Sequence, residues 1–516
     1  MHSTIAAAER TEALRDARVA LRSAWYDVVL SLTEGCEDWP AAEAEAGIAL
    51  RGEVLVRRDP VAALTYLTSV ADVPSTEAGR FAYEIVSGKA FAKVRDLDSA
   101  AARFAVAATL APRVEHGAET LAYNTGRLRF LRHQYDPRAE DVARSLTHPD
   151  PSMAAAAYAM RAWHHGALGD FRAQISDFTT ALAFVTKPLP SEPVDVGTLA
   201  ITCFSLARVA FETAHDDGVA AAQRAYDAIA WTDDVAGDRF QAIRALAWDA
   251  FMRGETGRAQ WMLKEARAAA PSDAYRVGAH VDRAYVARIA GNEAWALEEL
   301  AEADRLAHGI AWESTYGEER LVLCTLGVLH APVDAARAQR WAAHYARIGV
   351  EAISPNSAVG HDRRAIGFAK YAQGRIDQML GRREPAASAL REAYTIFDTI
   401  GYHYRATLAA CALADLTGEG LWRERALGHA QAYPDCPLMA IADRSGVSDD
   451  AMPPQLAPLE RQVARALWSG ADAGELSRRF SRSRYTIDRM VEAVFEAFGV
   501  STRAALVDEA RKRGLT

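Results

Sequence analysis

Cysteine is scarce in this 516-residue chain: Cys36, Cys203, Cys324, Cys411 and Cys436 are odd in number, far apart and without metal-ligand spacing. That pattern argues against a disulfide framework and a zinc site, and it suits a reducing compartment. Period-two runs of β-branched residues are almost absent, which excludes a sheet-based fold. No uninterrupted stretch approaches the length of apolar residues that a membrane span requires. The opening MHSTIAAAERTEALRDAR alternates charge with alanine and lacks the apolar core of a signal peptide. The expectation is a cytoplasmic chain with no membrane partner.

The motifs that carry chemistry are missing as well. No GxxxxGK[ST] loop occurs, and Gly88-Lys89 lacks both the upstream glycine and the following Ser or Thr. GxSxG elbows, Cys-x-x-Cys pairs and dinucleotide glycine patterns are absent. His133 and the His164-His165 pair lack the i,i+4 spacing around a carboxylate that a metalloprotease helix needs, so they are read as structural or surface histidines. The sequence thus predicts no catalytic residue, no metal and no cofactor, and a protein that is not an enzyme.

What the chain has is helix-forming sequence: half its residues are hydrophobic, alanine is abundant and proline falls mainly between segments. A chain this long exceeds the size at which one core keeps growing, so several domains or a repeat array are expected. A turn followed by a small residue recurs at Ala62, Ala100, Ala139, Ala173, Ala220, Ala259, Ala296, Ala336, Ala386 and Ala426, at separations of 34 to 50 residues. Each interval fits one helical hairpin, and such sustained periodicity implies a solenoid.

Within that array, Leu246, Ala247, Gly254, Ala259, Leu263, Ala266 and Pro271 form one set of small or apolar positions. Gly88, Ala100, Phe104, Ala107 and Pro112 form a second, Ala284, Gly291, Ala296, Leu300 and Ala303 a third, and Gly374, Gly381, Ala386, Leu390 and Ala393 a fourth. These sets resemble tetratricopeptide repeats, in which short side chains let paired helices approach closely. The resemblance implies a concave groove lined by the first helix of each pair, able to take a protein or peptide partner. Asn124, Arg127 and Arg132 are candidate groove positions.

The last segment, 456–516, reads as four short helices. Pro458 opens the first, with Val463 and Leu467 on one stripe ending at Gly470. Asp472 and Glu475 have capping-box spacing before Leu476 and Phe480. Ser483 is placed to cap a third helix that buries Ile487, Met490, Val491, Val494 and Phe498 and exposes Arg484, Tyr485, Asp488, Arg489 and Glu492. Gly499 ends it, Ser501 or Thr502 caps a fourth with Leu506, Val507 and Ala510 inside, and Gly514 closes the run. Two short helices joined by a tight turn, the second presenting polar residues outward, form the arrangement that lays a helix in a major groove.

Leu456, Pro458, Glu460, Arg461, Val463, Leu467, Gly470, Glu475, Ser483, Thr486, Ile487, Val491, Gly499, Val500, Ser501 and Arg503 align without a gap to a known pattern. The segment resembles the LuxR/GerE-type helix-turn-helix of bacterial transcription regulators. The family's usual Asn-Lys pair is Ala473-Gly474 here, its late helix-three Lys is Ala497 and its helix-three His is Met490. Asp488 and Glu492 occupy positions that often carry Lys or polar groups, and a carboxylate repels phosphate while accepting from bases chiefly through cytosine amino groups. Large regulators of the maltose-activator type add a nucleotide-binding module to a repeat sensor and such a tail; this chain looks like the last two alone.

Charge adds a weak polarity. The segment 456–516 holds 11 Lys and Arg against 8 Asp and Glu, a balance of +3, so the remainder carries −12 of the total −9. So few cations imply weak, strongly salt-dependent duplex binding by a monomer, and hence a homodimer or a partner.

Together these readings predict an all-α protein: a tetratricopeptide-like α-solenoid over 1–432, a Pro- and acid-rich linker over 433–455, and a LuxR-type helix-turn-helix over 456–516. The resemblance implies a transcription regulator that binds double-stranded DNA. Arg484, Asp488, Arg489 and Glu492 are placed at base edges, Arg482, Ser483, Thr486 and Arg503 near phosphates, and Tyr485 on the same face. The alternative is a repeat adaptor whose tail serves docking or oligomerisation.

Overall fold

The computed structural model describes residues 7–516 apart from 187–194, 231, 233–235, 316, 352–361, 446–451, 454, 457, 469–470, 481–482, 514 and 516. Among the described residues every regular element is a helix, and the fold is an all-α solenoid. Helices pack as successive pairs: Glu77–Lys93 on Leu97–Leu110, Pro151–Leu168 on Phe171–Val185, Ala236–Met252 on Thr256–Ala268, Asp273–Ile289 on Glu293–Ala307, Arg363–Met379 on Arg383–Thr399, and His403–Thr417 on Gly420–Ala430.

The recurring turn signal has a local cause, which is capping of the second helix. Asp59 accepts from the Val61 and Ala62 amides at 3.0 Å, Asp96 from Ser99 at 3.0 Å, Asp170 from Ala173 at 3.1 Å, Asn292 from Trp295 at 3.2 Å and Asp334 from Arg337 at 3.0 Å. Each satisfies donors that the first turn would otherwise leave open. Just before such a cap the chain must reverse, and at Gly291 it does so with φ of 79°, a conformation that disfavours any side chain.

The small residues then pack as expected: Ala100, Ala259, Ala296, Ala386 and Ala426 are fully buried or nearly so, with Phe104, Leu263, Leu300 and Leu390 beside them in the core. At the other five repeats the register differs. Ala220 and Ala336 are exposed and Ala62, Ala139 and Ala173 are half-buried; beside three of them Ala63, Ala221, Ala222 and Ala338 take the buried places. The turn marks where a helix starts, whereas the buried position depends on how far that helix rotates before meeting its neighbour.

Gly88 lies where the first helix of a hairpin crosses its partner, and a Cβ there would overlap the Phe104 ring. Gly88→Val is expected to destabilise by about 1–3 kcal/mol through overpacking, read as a lower midpoint in urea with an unchanged slope. An unaltered midpoint would mean the two helices can part at no cost.

The array also closes on itself over long sequence distances. Arg22 reaches Asp150 at 2.7 Å, and Arg95 donates to the Thr315 carbonyl at 3.3 Å. Phe171 stacks on Tyr402 with centroids 4.4 Å apart, Tyr285 hydrogen-bonds Tyr404, and the Tyr433 hydroxyl donates to the Phe211 carbonyl at 2.7 Å. Arg405 grips Glu212 through Nε and Nη2, each 3.0 Å from Oε1, while its guanidinium lies over the Phe368 and Tyr404 rings at 4.9 and 5.2 Å. One continuous buried cluster therefore runs from Ala155 to Ala442.

One expectation needs correction here. The proposed linker is in part ordered array: Tyr433, Cys436 and Leu438 are buried, and Pro437–Arg444 is a helix packed on the two before it. Pro437 at its first turn starts that helix and apolar Leu438 and Ala442 sit four apart, so the proline density marks a helix start as well as a boundary. One helix, Val196–Thr213, is long and apolar enough to cross a bilayer by length and composition, and half of it is buried inside the array.

Candidate nucleic-acid interface

Four helices follow the array: Pro458–Trp468, Ala473–Phe480, Arg484–Phe498 and Arg503–Lys512. Their core is a separate cluster drawn wholly from 452–515, including Leu456, Val463, Leu467, Leu476, Ile487, Val494, Phe498, Leu506 and Ala510. Met490 and Val491 pack against it half-buried. Trp468 meets Phe498 edge-on at 5.9 Å, and the Arg513 guanidinium lies over that ring, 5.1 Å from its centroid. The side chain of Phe480, and residues Gly470 and Gly514, lie outside what is described.

The ends of these helices are set by named groups. Asp472 accepts from the Glu475 amide at 2.8 Å and starts the second helix. Ser483 accepts from the Thr486 amide at 3.2 Å, with its hydroxyl 2.8 Å from that of Thr486, and starts the third. Gly499 ends the third helix with φ of 68°. Of the two candidate caps for the fourth helix, Thr502 is the one used, accepting from Ala505 at 3.2 Å.

The third helix presents one continuous polar face. Ile487, Val494 and Phe498 point into the core, while Ser483, Arg484, Tyr485, Asp488, Arg489 and Glu492 are exposed and Thr486 is half-buried. Tyr485 is 73% exposed, more than any other large hydrophobic side chain described, which no packing role explains. Arg484 pairs with Asp488 one turn later, Nε to Oδ1 at 3.5 Å. Such an exposed pair contributes little to stability. Arg482 lies outside the described residues.

Arg503 sits differently from its expected place near phosphates. Its Nε donates to the Leu467 carbonyl at 3.0 Å, and its Nη2 is buried. The side chain ties the fourth helix to the end of the first, because carbonyls at a helix C-terminus have no partner within the helix.

In the array, the three groove candidates divide. Asn124 is buried, its amide donating to the Thr120 carbonyl at 2.8 Å, and Arg132 donates to Leu97 O at 3.0 Å and to Asp98 at 2.7 Å. Arg132 ties two helices together, whereas the Asn124 bond stays within its own helix, Gly117–Leu131. Arg127 is half-buried and near enough to Glu53 to help hold that carboxyl below its usual range, after the opposing effect of burial and the larger pull of Lys89 and Arg57. Sequence reading missed Glu53, Arg57 and Lys89, which lie on neighbouring helices and share no spacing with Arg127.

Two of the histidines singled out, His133 and His164, are packed groups. His164 is buried, with Nδ1 accepting from the Asp136 amide at 3.1 Å and Nε2 3.3 Å from Gly126 O, and burial pushes its pKa down to about 4. His133 meets the Tyr135 hydroxyl at 2.7 Å and is likewise lowered to about 4 by burial. All five cysteines are buried thiols.

No family model matches this chain. No curated protein matches it either. Among solved structures it is similar to a Rap protein complexed with competence and sporulation factor, at 13% identity over 70% of this chain and 98% of that one, with a TM-score of 0.49. It is also similar to a chain of the Naa15/Naa10 structure bound to HypK-THB, at 13% identity over 98% of this chain and 80% of that one, with a TM-score of 0.22.

Proposed function

We propose that this chain is a cytoplasmic DNA-binding transcription regulator, in which helix Arg484–Phe498 enters a major groove and the helical array binds a protein or peptide that governs access to DNA. The observation that carries the reading is the exposed row Arg484, Tyr485, Asp488, Arg489 and Glu492, mounted on a capped helix with a core of its own. A helix N-terminus at a backbone phosphate and side chains at base edges are what groove recognition requires. Ser483 and Thr486 stand at that N-terminus. Arg503, being tied to Leu467, contributes by fixing the module rather than by reaching a phosphate.

The weak positive balance of the module points to a homodimer on DNA, where two modules double the phosphate contacts. The competing reading, an adaptor whose tail only docks or pairs subunits, draws on the two carboxylates of the exposed face. Selection of duplexes from a random library by the full-length chain at low salt separates the two. The regulator enriches a shared sequence, and Arg489→Ala weakens binding to it by about 1–3 kcal/mol while leaving the helical content intact. Failure to enrich any sequence removes the regulator reading, and unchanged affinity of the variant refutes the placement of Arg489 at a base edge.

A further inference from the structure

We propose that Asp488 is a positioning residue that aims Arg484 at a guanine and so sets base specificity, an inference that rests on the DNA-binding reading above. Arg484 is the first residue of its helix and Asp488 lies one turn further on, both exposed while Ile487 and Val494 are buried. The contact runs from Arg484 Nε to Asp488 Oδ1 at 3.5 Å. A guanidinium held through Nε keeps its terminal pair of Nη groups free, and that pair matches O6 and N7 of guanine in a bidentate contact.

The charges explain why a carboxylate is tolerated there. An isolated carboxylate on a groove-facing helix opposes phosphates, but next to Arg484 it forms a neutral pair. Arg484 then adds little to the phosphate-driven affinity, which any sequence provides, and contributes mainly to discrimination. Without Asp488 the same arginine is a free cation on a long stem, able to reach a phosphate on either side. Loss of the carboxylate should therefore raise non-specific affinity and lower selectivity together.

The test uses the full-length chain and the duplex that the wild type selects from a random library, compared with its single-base variants over a range of salt. Arg484→Ala is expected to lose, at one G·C pair, a preference of about 5- to 150-fold. Asp488→Ala is expected to lose preference at that same pair while binding random duplex as tightly as wild type or tighter, with a steeper salt dependence. Asp488→Asn keeps an oxygen acceptor and should restore part of the preference. Equal weakening on every duplex with discrimination intact would overturn the proposal, as would loss at different base pairs in the two variants. If the wild type selects no sequence at all, the DNA-binding reading itself has failed and this inference falls with it.

Discussion

Replacing Arg405 by alanine is expected to cost the array about 3 kcal/mol or more, a large share of the net stability of a typical domain. The residue joins segments nearly two hundred positions apart, pairing with Glu212 while lying over the Phe368 and Tyr404 rings. Its removal leaves Glu212 mostly buried without a counter-ion and strips the cation from two aromatic faces. Glu212→Ala should cost a similar amount by stranding the arginine. Arg405→Ala combined with Glu212→Ala should cost less than the two singles added, because neither charge is then left alone. Urea titration followed by far-ultraviolet circular dichroism reads all three, and additive losses would mean the pair does not couple the two parts of the array.

Ile487→Asp is expected to have a larger effect, confined to the C-terminal module. Ile487 is completely buried among Leu476, Val494, Leu506 and the rest of a cluster drawn from some sixty residues. A carboxylate there has to be desolvated or protonated, which costs several kcal/mol, and a core that small has little stability in reserve. The module should unfold, and with it any duplex binding, while the array keeps its own unfolding transition. Native-state hydrogen exchange separates the cases: fast exchange limited to 456–516 is expected, and faster exchange spread through the array would mean the two share one core.

The helix starts were the most legible part of the sequence. Asp472, Ser483 and Thr502 cap because a short oxygen-bearing side chain three residues before a free amide has one simple use. The exposed row of the third helix was legible for the same local reason, since period-3.6 burial of Ile487, Val494 and Phe498 fixes what faces out. The closure of the array was not, because Arg405 with Glu212 and Tyr433 with Phe211 are contacts across some two hundred residues that leave no periodic trace.

The arginines were read least well. Arg132 and Arg503 looked like ligand groups, yet each donates to a carbonyl of another helix, Leu97 in one case and Leu467 in the other. A guanidinium serves either purpose with the same atoms, so its sequence position alone cannot tell a strut from a hand. The proline-rich stretch before the module misled for a related reason. Pro437 starts a helix there, and composition alone reads the same residue as a break.

The account turns on whether the helix starting after Ser483 meets DNA. Chromosome-wide crosslinking of the full-length chain followed by sequencing tests this most directly, with Arg489→Ala as its control. The account predicts discrete enriched sites that share one sequence and that disappear in the variant. A chain that leaves no enriched sites, or sites that persist unchanged without Arg489, would contradict it.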